Sequence, residues 1–159
     1  MPFLRIEGAL STCRSHLNSL GTADPIRVEV EAYIVAAMVV LIVSEYEELV
    51  ERLFVDRAAM CGDTHVASYV RTAIARKFRS PDLGKITEVL GYFGNDYKQT
   101  FSSKILNTEY HAAWDNIMRA RHAVVHKTGP ASLTFDELDR SYIKTKTVLS
   151  ELKNTLGVP

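Results

Sequence analysis

The sequence predicts an all-α fold, and three observations carry that prediction. Apolar residues recur at helical spacing through most of the chain. The stretch from Ile26 to Cys61 contains no Gly or Pro. Helix-start signals stand at the segment boundaries, at Asp24-Pro25, Ser80-Pro81, Asn107-Thr108 and Thr134-Phe-Asp-Glu137.

The elements follow in order. Phe3 to Leu20 places Phe3, Leu4, Ile6, Leu10, Cys13, Leu17 and Leu20 on a helical stripe that Gly21 ends. Asp24-Pro25 opens a second helix of over 30 residues, about 50 Å long at ~1.5 Å per residue. Its centre, Val39-Val40-Leu41-Ile42-Val43, has strand-like propensity. The flanks are Glu-rich helix formers without turn residues, so a buried helix is expected there. Gly62-Asp63-Thr64 breaks and recaps. The third helix, His65 to Phe78, should turn Val66, Tyr69, Val70, Ala73, Ile74 and Phe78 inward. Ser80-Pro81 caps a fourth, ending at Gly91 or Gly94, and Asp96 to Leu106 forms a short fifth. Asn107-Thr108 caps a sixth with Tyr110, Ala113, Trp114, Ile117, Val124 and Val125 as its apolar face, stopped by Gly129-Pro130. A capping box at Thr134 and Glu137 opens the last helix, with Leu138, Tyr142, Leu149, Leu152 and Leu156 as a bundle seam. The expected architecture is an antiparallel bundle of six to seven helices around the long second one, one domain over residues 1–159.

Composition narrows the function classes. The 159 residues are 47% apolar and 24% charged, enough to bury a core. Nineteen basic and nineteen acidic residues cancel, which excludes nucleic-acid binding by bulk charge. The two cysteines, Cys13 and Cys61, form neither a disulfide framework nor a zinc knuckle, are expected to be small buried hydrophobes, and fit a reducing compartment. The most apolar run, Ala32 to Val43, falls short of the roughly 20 residues of a membrane span. The N-terminus has no secretory-signal pattern. A cytoplasmic protein without a membrane partner is expected.

Charge is unevenly placed. Asp24 to Asp63 holds nine acids against three bases, and Thr64 to Lys104 seven bases against three acids. Arg71, Arg76, Lys77 and Arg79 form a run without an acid. Such a run is most simply a solvated helix face, and RNA backbone contact is the functional reading.

One short segment carries chemistry: Arg119-Ala-Arg121-His122-Ala-Val-Val-His126-Lys127. His122 and His126 are four apart and share a helix face. Arg121 and His126 are separated by about 140° of rotation, which a long Arg arm can bridge. Ala123, Val124 and Val125 should face the core. A basic stripe bearing His beside a packed face suits a phosphate substrate. Arg offers a planar, permanently charged fork, and His accepts and returns a proton near neutral pH. Two histidines at this spacing can also bind zinc, but no Glu follows His122 and no third ligand stands nearby in sequence. No metal and no cofactor are expected.

Arg121-His122-Ala-Val-Val-His126 resembles the Arg-x4-6-His motif of HEPN domains, an all-α family. The residue after Arg is often Asn in that family; here it is His122. Ser44-Glu-Tyr46-Glu47-Glu48-Leu resembles the aromatic-Glu element of the RiboL-PSP-like branch. The order of elements fits as well: long helix with the acid, connecting helices, late helix with the motif, final helix. The resemblance implies a metal-independent endoribonuclease, frequently a toxin or anti-phage effector, acting as a homodimer in which two motifs face each other. It implies that His126 moves protons, that Arg121 holds the charge of the phosphorane, and that His122 positions the phosphate or the partner's His126. Glu47 would orient Arg121 or His126, with Glu48 as its competitor. Arg119 and Lys127, with Arg71, Arg76, Lys77 and Arg79, are candidates for RNA contact. An adjacent antitoxin or nucleotidyltransferase would be the protein partner. The alternative is a non-catalytic nucleotide-binding or dimerisation module acting with another protein.

Overall fold

The computed structural model describes residues 3–21, 24–77, 80–126 and 133–159. The described residues form seven α-helices and no strand: α1 (Leu4–Ser19), α2 (Pro25–Ala59), α3 (Thr64–Lys77), α4 (Leu83–Phe93), α5 (Asn95–Ile105), α6 (Glu109–Val125) and α7 (Phe135–Leu156).

The 35-residue α2 is the spine, with α1, α3, α6 and α7 packed on it. Asp24 caps it by accepting from the Ile26 amide at 2.9 Å, with Pro25 in the first turn. The strand-like run is helix interior, with Val39, Ile42 and Val43 buried. Arg5 reaches Glu45 and Arg27 reaches the Leu17 and Leu20 carbonyls, so α1 runs against α2. Arg14 reaches Asp136 and Asp139 while Glu7 receives Lys146, so α1 also runs against α7. The Phe135 amide donates to Glu31, and Tyr46 meets Thr145, which lays α7 alongside α2 in the same sense.

The capping box at Thr134 and Glu137 is present, and Gly157, at φ +64°, closes α7 in the left-handed conformation. Backbone bonding to Thr134 holds the Glu137 carboxylate below its usual pKa. Leu138, Tyr142, Leu149, Leu152 and Leu156 are all buried, as the sequence predicts.

Several expectations are corrected. The cap of α4 is Asp82, accepting from the Lys85 amide at 2.8 Å, and not Ser80; Pro81 precedes the helix. Of the inward set on α3, only Ile74 is buried; Val66 and Tyr69 are exposed, and Phe78 lies outside the described residues. A single contact face on a short peripheral helix buries one stripe, not two. Val125 is exposed and Ala123 and Val124 are half-buried, because α6 ends there and leaves the core. Cys13 is half-buried and Cys61 exposed. Among the described residues no helix is long and apolar enough to cross a membrane.

Candidate functional site

The floor of the site is aromatic. Tyr46 and Trp114 are fully buried and stack with ring centroids 5.0 Å apart, joining α2 to α6. The Tyr46 hydroxyl meets Thr145 Oγ1 at 2.5 Å, and Trp114 Nε1 donates to the Pro81 carbonyl at 2.9 Å. Burial drives the Tyr46 phenol far above its usual pKa, so it stays neutral and serves as packing and hydrogen bonding. Four segments distant in sequence are pinned at one point: α2, the 80–82 entry to α4, α6 and α7.

Glu47 follows Tyr46 and lies at the edge of this floor. Its Oε1 is shielded from solvent, accepts no hydrogen bond, and faces Arg121 Nη2 at 3.7 Å. Burial raises the Glu47 pKa above its ordinary value; the charges of Arg121 and then Lys85 act against that rise. Glu48, the competitor, is exposed and lines a depression with Glu51, Arg52, Asp56 and Arg71. The carboxylate that meets Arg121 is therefore Glu47.

His126 is the C-cap of α6, its amide donating to the His122 carbonyl at 3.0 Å. The two imidazoles pack with centroids 4.3 Å apart, tilted by 46°, and both residues are exposed. No hydrogen bond or ion pair joins Arg121 to His126: Arg121 turns to Glu47 and His126 to His122. The rotation between positions 121 and 126 prevails over the reach of the Arg arm.

The remaining candidates divide. Arg119 is exposed and bonds Asn116 Oδ1 at 2.7 Å. Arg71 and Arg76 are exposed on α3, and Lys77 ends that helix. Arg71 lines the same depression as Glu48, Glu51 and Asp56 of α2. Arg79 and Lys127 lie outside the described residues. His111 pairs with Asp115 at 3.3 Å along α6, as their spacing predicts. Among the described residues no three His, Cys, Asp or Glu side chains gather closely enough to hold a metal ion.

The sequence reading missed Lys85. It lies in the first turn of α4, bonded to Asp82 Oδ2 at 3.2 Å and close enough for its charge to act on Glu47. The Trp114–Pro81 bond is what brings this turn to the site.

Fold and site together define an all-α domain whose long helix presents a carboxylate to the Arg of a late Arg-x4-His segment. The family model described as RiboL-PSP-HEPN matches residues 5–157, so the chain belongs to the HEPN family. HEPN domains are often ribonucleases. Neither the curated proteins nor the solved structures yield a match to the chain.

Proposed function

We propose that the chain is a metal-independent endoribonuclease, a toxin or anti-phage effector of the cytoplasm, that works as a homodimer. The observation that carries this reading is the Arg121–Glu47 pair. A shielded carboxylate on α2 faces the guanidinium of the motif, one and five residues before two exposed imidazoles. Such an arrangement suits a phosphodiester and leaves its proton-transfer groups accessible.

In the proposed reaction His126 takes the proton from a ribose 2′-OH, whose oxygen attacks the adjacent phosphorus. Arg121 neutralises the charge that builds on the phosphorane oxygens. The P–O5′ bond breaks, and the leaving 5′-oxygen takes a proton from the imidazolium of the partner's His126. The products are a 2′,3′-cyclic phosphate and a 5′-hydroxyl. His122 positions the phosphate or the partner's His126. Arg119, Lys127 and the 71–79 run contribute backbone contacts.

The second copy is supported by the surface of α2. Ile26, Tyr33, Val40 and Glu47 recur at seven-residue spacing, so they follow one face of the helix. The first three are 59%, 69% and 43% exposed. This apolar seam leads along α2 to the residue that receives Arg121. A two-fold pairing along it would set two sites side by side, each lending the other an imidazole.

The test is a mixed dimer. Arg121→Ala and His126→Ala chains are each expected to be inactive on RNA. Coexpressed in excess with wild type, His126→Ala should depress cleavage below the level of wild type alone, because the mixed dimer keeps one His126 and the reaction uses two. A protein that light scattering shows to be monomeric while it cleaves RNA fully would contradict the dimeric site. A wild type that binds RNA without cleaving it would favour the non-catalytic module.

A further inference from the structure

We propose that His122 and His126 form a two-point chelating site for a borderline transition ion, Zn²⁺ or Ni²⁺, and that such an ion switches the site off. The switching half rests on the ribonuclease reading above; the binding half stands without it.

The chain has five histidines. His111 is engaged, its Nδ1 accepting from the Asn107 amide at 3.2 Å and its Nε2 facing Asp115. The rings of His122 and His126 carry no hydrogen bond among the described residues; they touch each other at 4.3 Å and open to solvent. Two ring nitrogens on a tetrahedral ion with bonds of about 2.0–2.1 Å lie roughly 3.4 Å apart. Positions four apart on one helical face supply that spacing in helical metal motifs, and here the two rings at the end of α6 already stand with centroids 4.3 Å apart. The backbone bond between these residues at 3.0 Å holds the turn that sets it.

The ligand set also says what the ion is not. Among the described residues no carboxylate or thiol joins the pair, which leaves two positions of a tetrahedral ion to water. Structural zinc sites are closed by four protein ligands; this one would exchange its ion freely. Imidazole alone suits Zn²⁺, Ni²⁺ and Cu²⁺ and is a poor site for Mg²⁺ or Ca²⁺, which take oxygen ligands. A coordinated nitrogen has committed its lone pair and cannot accept a proton. An ion held here would remove the base while leaving Arg121 and Glu47 in place.

Calorimetric titration of untagged, EDTA-stripped protein with ZnCl₂, NiCl₂ and MgCl₂ tests the proposal. Saturable binding of Zn²⁺ and Ni²⁺ and none of Mg²⁺ is expected. Binding should vanish in both His122→Ala and His126→Ala and persist in His111→Ala, with circular dichroism confirming that each is folded. RNA cleavage by wild type should stop at the zinc concentration that saturates the site and return with EDTA. Absence of saturable binding, or binding unchanged by His122→Ala, would overturn the site. Zinc saturation with undiminished cleavage would overturn the switch. A metal-free protein that never cleaves RNA would instead count against the ribonuclease reading and remove the switch with it, leaving the calorimetry to decide the site.

Discussion

Replacing Glu47 by Gln should leave the fold intact and disable the site. The carboxylate and guanidinium are 3.7 Å apart, with side chains 27% and 26% exposed. At an effective dielectric near 20 their gross attraction is about 4.5 kcal/mol. Burial works against it and is the largest influence on the Glu47 carboxyl, whose pKa is raised from 4.5. The folded state therefore holds the Glu47 proton more tightly than the unfolded chain. The stability this group contributes is complete below the unfolded value and is lost as pH rises through the folded one. Gln has no such dependence. The variant should accordingly gain stability relative to wild type between pH 4 and pH 7, and differ from it by no more than about 1 kcal/mol at neutrality. Activity should behave oppositely. Arg121 loses the group that aims it, and a misplacement near 1 Å can cost about 10²-fold. Urea midpoints at pH 4.5 and pH 7, read beside RNA cleavage at pH 7, make the comparison. A variant that loses stability relative to wild type as pH rises, or that cleaves RNA at the wild-type rate, would refute the reasoning.

His126→Ala should lower RNA cleavage by at least about 10²–10⁴-fold, and Arg121→Lys should fail as well, because a point charge does not replace a planar fork; single-turnover assays measure both. Lys85→Gln should reduce the slope of log binding constant against log salt on single-stranded RNA by about 0.7, the share of one phosphate contact, and Lys85→Arg should restore it; an unchanged slope would place Lys85 outside the RNA path. Trp114→Phe keeps the stack on Tyr46 but orphans the Pro81 carbonyl, and should cost about 1–3 kcal/mol in urea denaturation.

Local chemistry made most of the fold legible. The spine α2 could be read from an interior without Gly or Pro, and α6 and α7 from their Thr caps, because these signals act within a few residues. The cap of α4 was misread because Ser80-Pro81 and Asp82 are adjacent candidates, and only the observed bond to the Lys85 amide chooses between them. The outward seam of Ile26, Tyr33 and Val40 was hidden for another reason. The first half of α2 is apolar nearly all round, so periodicity does not say which side faces water. On α3 the apolar residues outnumber those its contact face can bury. In the candidate site, Arg121, His122, His126 and Glu47 were visible as motif elements. That Arg121 meets Glu47 and not His126 depends on the crossing of α6 over α2, a tertiary property. Lys85 carried no motif at all; it reaches the site through the Trp114–Pro81 bond, a contact between residues 33 apart.

The central claim is that RNA is cut by the substrate's own 2′-oxygen with Arg121 and His126 and without a metal. End-group analysis of RNA treated with purified wild type in EDTA tests it most directly. A 2′,3′-cyclic phosphate with a 5′-hydroxyl, formed by wild type and absent with His126→Ala, is the predicted result. A 5′-phosphate formed only with added magnesium, or equal cleavage by His126→Ala, would contradict it.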